Sequence, residues 1–213
     1  TPQVDLSLQK DTQALNARIG TINNYINDLQ DNYLKTVMRA TGYKTISSLV
    51  FYMNSTGAFL TNFDSAFQEV FVNGTINNVQ IDSITGKKIM YNRTFTNWSS
   101  RISQSSLDVL KANTTIVVQD ASATQTNPWE IELILKINLS VKSNVAEWNK
   151  ISTIKTTLAI EGFYDPAYLV NVNVPDSYSY GKKVKNANIQ LNQWSITQVR
   201  YHLRNDTYVY WTN

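Results

Sequence analysis

Leu8, Leu15, Ile22 and Leu29 recur every seven residues, and Thr12, Ile19, Ile26 and Tyr33 recur with the same period, offset by four. Alternating four- and three-residue steps place one apolar stripe along a single helix face. Val37 and Ala40 extend the stripe, and Gly42 is the expected C-cap. A helix from Leu6 to Gly42 would be about 55 Å long, at about 1.5 Å per residue. A chain that opens with such a rod must either pair it with another helix or dock it. The flanking positions decide between these: Gln9, Asn16, Asn23 and Gln30 lie on one side, Asp11, Arg18, Tyr25 and Asn32 on the other. They lack the paired charges that fix partner and register in a coiled coil, and Tyr33 is bulky for a dimer seam. The C-terminal half is therefore expected to dock on the same chain, with the N-terminal half projecting.

The rest of the chain reads as helices first and strands later. Ile46, Leu49, Val50, Phe51 and Tyr52 predict a second helix running to Asn54. Phe59, Leu60, Phe63, Phe67, Val70 and Phe71 predict a third from about Ala58, stopping at Asn73 and Gly74. Gly86 and Lys87 suggest a turn between Ile84 and Ile89, read as a short hairpin. Trp98, Ile102, Leu107 and Leu110 mark a polar-faced helix ending near Ala112. Ile116, Val117 and Val118 form a short β-branched run. From Ile131 the alternation is clean: Ile131, Leu133, Leu135, Ile137, Leu139 and Val141 face one way, as in a half-buried antiparallel strand. Ile154, Thr156, Leu158 and Ile160 are its expected partner across a loop containing Ala146 and Trp148. Ile196, Val199 and Leu203 fit a short helix capped by Ser195. Segregated helices and strands imply an α+β fold, with a long N-terminal helix and further helices packed on an antiparallel sheet. The expected organisation is one domain overall, residues 1–43 forming the long helix and residues 44–213 the α+β body.

Composition removes most chemistry. Apolar residues are 42% and aromatics 11%, enough for a real core, whereas charged residues are only 16% against a usual level of about 25%. The surface must be built from Asn, Ser, Thr, Gln and Tyr. A net charge of +3 with small clusters at Lys182, Lys183 and Lys185, and at Lys87 and Lys88, falls short of a nucleic-acid surface. The longest uncharged stretch, Thr45 to Phe63, is too polar to span a bilayer. There is no cysteine and one histidine, His202, so transition-metal sites are not expected. Gly86 and Lys87 fail the phosphate-loop pattern, since Ile81 stands where the first glycine is needed and Lys88 where Ser or Thr would hold magnesium. Asp82 to Gly86 lacks an intact aspartic-protease triplet and any second copy. No Gly-x-Ser-x-Gly elbow and no calcium loop occur. Glu130 and Glu132 share a strand face beside Trp129, and a cleft gathering them with Asp165 or His202 would be needed to revive catalysis. No enzyme activity and no cofactor is expected.

Asn-x-Ser/Thr sequons begin at Asn54, Asn73, Asn92, Asn97, Asn113, Asn138 and Asn205. Asn73 stands at a helix end, Asn92 and Asn97 in a polar connection and Asn205 near a turn. These four, with Asn113, are the expected glycosylation acceptors, while Asn138, facing out from a strand, is disfavoured. The set points to an exported protein.

Asn127-Pro128-Trp129-Glu130-Ile131 opens the long strand, Trp148 follows, and then come Ile160-Glu161-Gly162-Phe163-Tyr164-Asp165-Pro166 and the closing Asn205-Asp206-Thr207-Tyr208-Val209-Tyr210. On these short motifs the chain resembles archaeal cell-surface proteins with pilin-like N-termini. The resemblance implies a pilin-like arrangement of helix on sheet, export through a prepilin-type leader, and a membrane anchor preceding Thr1. It further implies an extracellular location, with other surface proteins or further copies as partners. It carries no catalytic residue. The alternative is a sensor or ligand-binding ectodomain, in which Tyr164, Tyr168, Tyr178, Tyr180 and Trp194 line a pocket and the long helix transmits the signal.

Overall fold

The computed structural model of the protein describes residues 6–127 and 129–163, together with Lys185–Asn186 and Thr207–Tyr208. The apolar stripe does form one long helical rod, and it runs further than its periodicity suggests. Helix α1 (Leu6–Asp28) passes through a π-helical turn (Leu29–Tyr33) directly into α2 (Leu34–Thr56). The rod is about 75 Å long at about 1.5 Å per residue. Gly42 does not end it. A Cβ built on Gly42 would lie 2.5 Å from Leu133 Cδ1, so this glycine marks the closest approach of helix to sheet. The terminating glycine is Gly57, left-handed at φ +65°, whose N–H bonds the Met53 carbonyl.

The π turn also shifts the stripe by one residue. The heptad reading puts Tyr33 and Ala40 on the buried face, yet Tyr33 is 41% exposed and Leu34 fully buried, while Ala40 is exposed. The Leu34 N–H bonds the carbonyl of Leu29, five residues back, so one extra residue is absorbed in that turn. Ile22, Ile26 and Leu29 before it, and Leu34, Val37 and Met38 after it, then all face the core.

The sheet has strand order β3-β4-β5, all antiparallel, with β3 spanning Asn113–Asn127, β4 Glu130–Lys142 and β5 Glu147–Ala159. Ile131, Leu133, Leu135, Ile137, Leu139 and Val141 of central β4 are all buried, as the alternation predicts. Ile154, Thr156 and Leu158 bury the same face of β5. Trp148 belongs to β5 itself, paired with Val141. Ile116, Ala121 and Ala123 of β3 are buried on this same face, and the opposite face carries Val117, Asn138 and Ile151 side by side and exposed. The fold is α+β.

Polar contacts fix the rod along β5. Trp148 Nε1 donates to Asn23 Oδ1 (2.9 Å), Gln30 bridges Ser152 (2.8 Å) and Lys150 (2.9 Å), and Arg39 Nε donates to Thr156 Oγ1 (2.8 Å). Residues 23 to 39 of the helix span about 24 Å and residues 148 to 156 of the strand about 26 Å. The two elements therefore run in the same direction at matched pitch. Arg18 reaches the Leu110 carbonyl and ties the helix to the segment that leads into β3.

Helix α3 (Phe63–Asn73) starts later than its apolar spacing suggests, because the Asn62 side chain caps it by accepting from Ser65 N–H (3.1 Å). It ends at Asn73 and Gly74 as expected. A two-residue hairpin follows, β1 (Thr75–Ile76) with β2 (Val79–Gln80), turned by Asn77 and Asn78 at positive φ. The hairpin expected around Gly86 is replaced by a short helix, α4 (Ile81–Thr85), with Gly86 as its left-handed cap. Asn, like Gly, tolerates the left-handed region, so the turn formed at the Asn pair instead. Helix α5 (Phe95–Ser105) continues in a π turn (Ser106–Leu110), close to the expected end. A stack of Phe63, Phe67, Phe71 and Phe95, at centroid spacings of 5.8, 5.6 and 5.6 Å, joins α3 to α5. Lys185–Asn186 and Thr207–Tyr208 form a short parallel pair, β6 with β7. The helix expected at Ser195–Leu203 lies outside the described residues.

Candidate functional site

The end of α3, the connection after α4 and the start of α5 enclose an open depression of about 730 Å³. Each wall has a local cause. Thr94 caps α5 in a reciprocal box: its hydroxyl accepts from Asn97 N–H (3.2 Å), while Asn97 Oδ1 accepts from Thr94 N–H (3.2 Å) and from the Thr94 hydroxyl (2.7 Å). Thr96 then binds α5 to the end of α3, donating to the Val72 carbonyl (2.8 Å) and reaching Asn73 Oδ1 (3.3 Å). On the opposite wall, the Asp82 carboxylate accepts from the backbone N–H groups of Ile89 (3.0 Å), Met90 (3.0 Å) and Tyr91 (2.8 Å). Such charge-assisted bonds are strong and short, so the loop after Gly86 is held on one anchor. Met90 is buried beneath it, and Tyr91 stands at the rim, 69% exposed. Arg101 donates to the Asn92 carbonyl (3.3 Å) and lies 4.8 Å from the Trp98 ring centroid.

The depression brings together three of the expected acceptors. Asn73 and Asn92 are exposed on its lining, and Asn97 is half-buried there in the capping box. Asn113 is exposed at the start of β3, and the further sequon residues Asn54 and Asn138 are exposed on α2 and β4. Asn205 lies outside the described residues. Sequence reasoning missed the depression as a unit, because Gly86 and Lys87 were read as a hairpin turn. The readable signals were the Asn-Asn pair at 77–78 and Thr94 three residues before Asn97.

Glu132 makes an ion pair with Lys155 on the neighbouring strand (3.0 Å), and Asp165 and His202 lie outside the described residues. Among the described residues no group of three His, Cys, Asp or Glu side chains could hold a metal ion. The aromatics of the sensor reading, Tyr164, Tyr168, Tyr178, Tyr180 and Trp194, lie outside the described residues, as do Lys182 and Lys183. No helix among the described residues is long and apolar enough to cross a membrane. No protein-family model, curated protein or solved structure matches the chain.

Proposed function

We propose that the chain is the extracytoplasmic part of a membrane-anchored surface protein, structural or adhesive in role and without catalysis. One observation carries this reading: the rod changes from an exposed to a buried stripe along its length. From Ile22 onward its stripe is buried, whereas residues 10–17 are exposed throughout, including Leu15 on the stripe itself, 42% exposed. A helix that is buried along its C-terminal part and exposed along its N-terminal part is suited to holding a head away from an attachment point. The parallel run of helix and β5 agrees with the pilin-like arrangement that the sequence resemblance implies. The poverty of ionic groups and the five exposed sequon residues outside the capping box support an exported surface. The pocket of the sensor alternative, Tyr164, Tyr168, Tyr178, Tyr180 and Trp194, lies outside the described residues.

The test is protease treatment of intact cells making the full-length gene product, with glycopeptide mapping of the released fragments. Release of the body from unlysed cells, with sugar on Asn73, Asn92 or Asn113, is the expected result. Digestion only after lysis would refute the surface assignment.

A further inference from the structure

The depression beside Tyr91 has the make-up of a ligand site, and its chemistry selects the ligand class. Its lining is rich in amide and hydroxyl groups, Asn73, Gln80 and Asn92 with Ser83, Thr94 and Thr96, set around the carbon surface of Met90 and Tyr91. The charged lining residues are Asp82 and Lys88, and the Asp82 carboxylate is taken up by three backbone N–H groups. A phosphate or carboxylate ligand would need converging cations, which this lining lacks. A lipid would need a continuous wall of apolar side chains, and the large apolar residues of this lining are Met90, buried in the floor, and Tyr91 at the rim, set among polar side chains. A peptide adding to a sheet would need a long free strand edge, and β1 and β2 are two residues each. What fits is a neutral, polyhydroxylated ring compound. Its hydroxyls need donors and acceptors in place of water, which the amides supply in both senses. Its C–H face carries slight positive charge and suits the negative face of a tyrosine ring.

We propose that this depression binds a neutral saccharide, with Tyr91 as the stacking platform and Asn73, Gln80 and Asn92 as the hydroxyl readers. The site is preorganised, because Asp82 fixes the backbone that carries Tyr91 and the Thr94–Asn97 box fixes the facing wall. Preorganisation of this kind lowers the ordering cost of binding. The volume of about 730 Å³ lies within the range of about 300–1,000 Å³ usual for small-molecule sites. This gives the adhesive role proposed above a ligand class and rests on that reading, but it stands or falls in solution, whichever side of the membrane the protein occupies. The saccharide has two possible sources, a separate molecule or a glycan carried on Asn73 or Asn92 of the chain itself.

The experiment titrates unglycosylated protein with a panel of neutral oligosaccharides built from hexoses and N-acetylhexosamines, followed by calorimetry. Saturable binding of at least one member is expected. Tyr91→Ala should weaken it by about tenfold or more, a loss of about 1.4 kcal/mol, and Tyr91→Phe should leave it within about threefold. Because Tyr91 is so exposed, the Ala variant should keep the wild-type melting temperature. Protein from the natural host separates the sources: retained binding assigns the saccharide to another molecule, and binding regained only after enzymatic removal of the chain's glycans assigns it to the chain's own glycan. Failure of every member to bind, or binding indifferent to Tyr91→Ala, overturns the proposal. Retention of the protein inside the cell would refute the surface assignment and leave this titration unaffected.

Discussion

Gly42 and Gly20 sit on the same rod and should respond to alanine in opposite senses. A Cβ at Gly20 meets nothing within 4 Å, whereas one at Gly42 meets Leu133, itself buried in the centre of the sheet. Gly20→Ala is expected to stabilise the protein by about 0.5–1 kcal/mol, through helix propensity alone. Gly42→Ala should destabilise it by about 1–2 kcal/mol, because Leu133 can yield only into a filled core. Urea midpoints of the two variants check this, and a stabilised Gly42→Ala would mean that helix and sheet are further apart than described. Three helix hydroxyls facing the core, Thr41, Thr45 and Ser48, are buried with no hydrogen-bond partner among the described residues. Thr45→Val should therefore raise stability by about 1 kcal/mol; an equal loss would reveal a partner for that hydroxyl. None of this was legible in the sequence. Gly42 reads as a helix stop because a glycine inside a helix and one just past its end have the same letters around them, and only the position of Leu133 tells them apart.

At the scale of elements, the π turn is the feature the sequence hid most completely. A strict heptad count carries the stripe to Tyr33, while the structure delivers Leu34. The extra residue is absorbed where Gln30 turns inward to meet Ser152 and Lys150. Deleting exposed Asn32 should convert the π turn to regular helix and keep Leu34, Val37 and Met38 in phase, with the fold retained. Deleting exposed Ala40 should rotate those three off the core by about 100° and lose several kcal/mol, as burying fewer large side chains requires. Circular dichroism and thermal melts of the two deletions separate them, and equal damage by both would contradict the assigned phase. In the Tyr91 loop, Asp82→Ala should speed hydrogen exchange at Ile89, Met90 and Tyr91 by about tenfold or more, leaving β4 protected. Unchanged exchange there would mean that Asp82 does not anchor the loop. By contrast β4 was legible almost residue by residue, because a strand with one wet face writes its burial directly into a period of two. The Gly86 turn was misread because a left-handed glycine serves a helix cap and a hairpin equally well.

For the whole molecule, the order of helices before strands was enough to predict α+β, and the stripe was enough to predict a rod docked by its C-terminal part. The length of the rod was not legible: Gly42 reads as a stop between two helices, whereas the structure carries one helix through it to Thr56. The depression was not legible either, since its walls come from three elements that only tertiary packing brings together. The proposed role depends on that rod being straight through its π turn, so that exposed residues 10–17 lie far from the buried part. The chain has no cysteine, so Lys10→Cys and Asn54→Cys, both at exposed positions, can carry paired spin labels without further change. Electron–electron distance measurement on the folded protein should give one narrow population near about 65 Å, the span of a continuous helix between those residues. A population centred below about 50 Å, or a broad spread, would mean that the helix folds back at Leu29–Tyr33, and the projecting stalk would be contradicted.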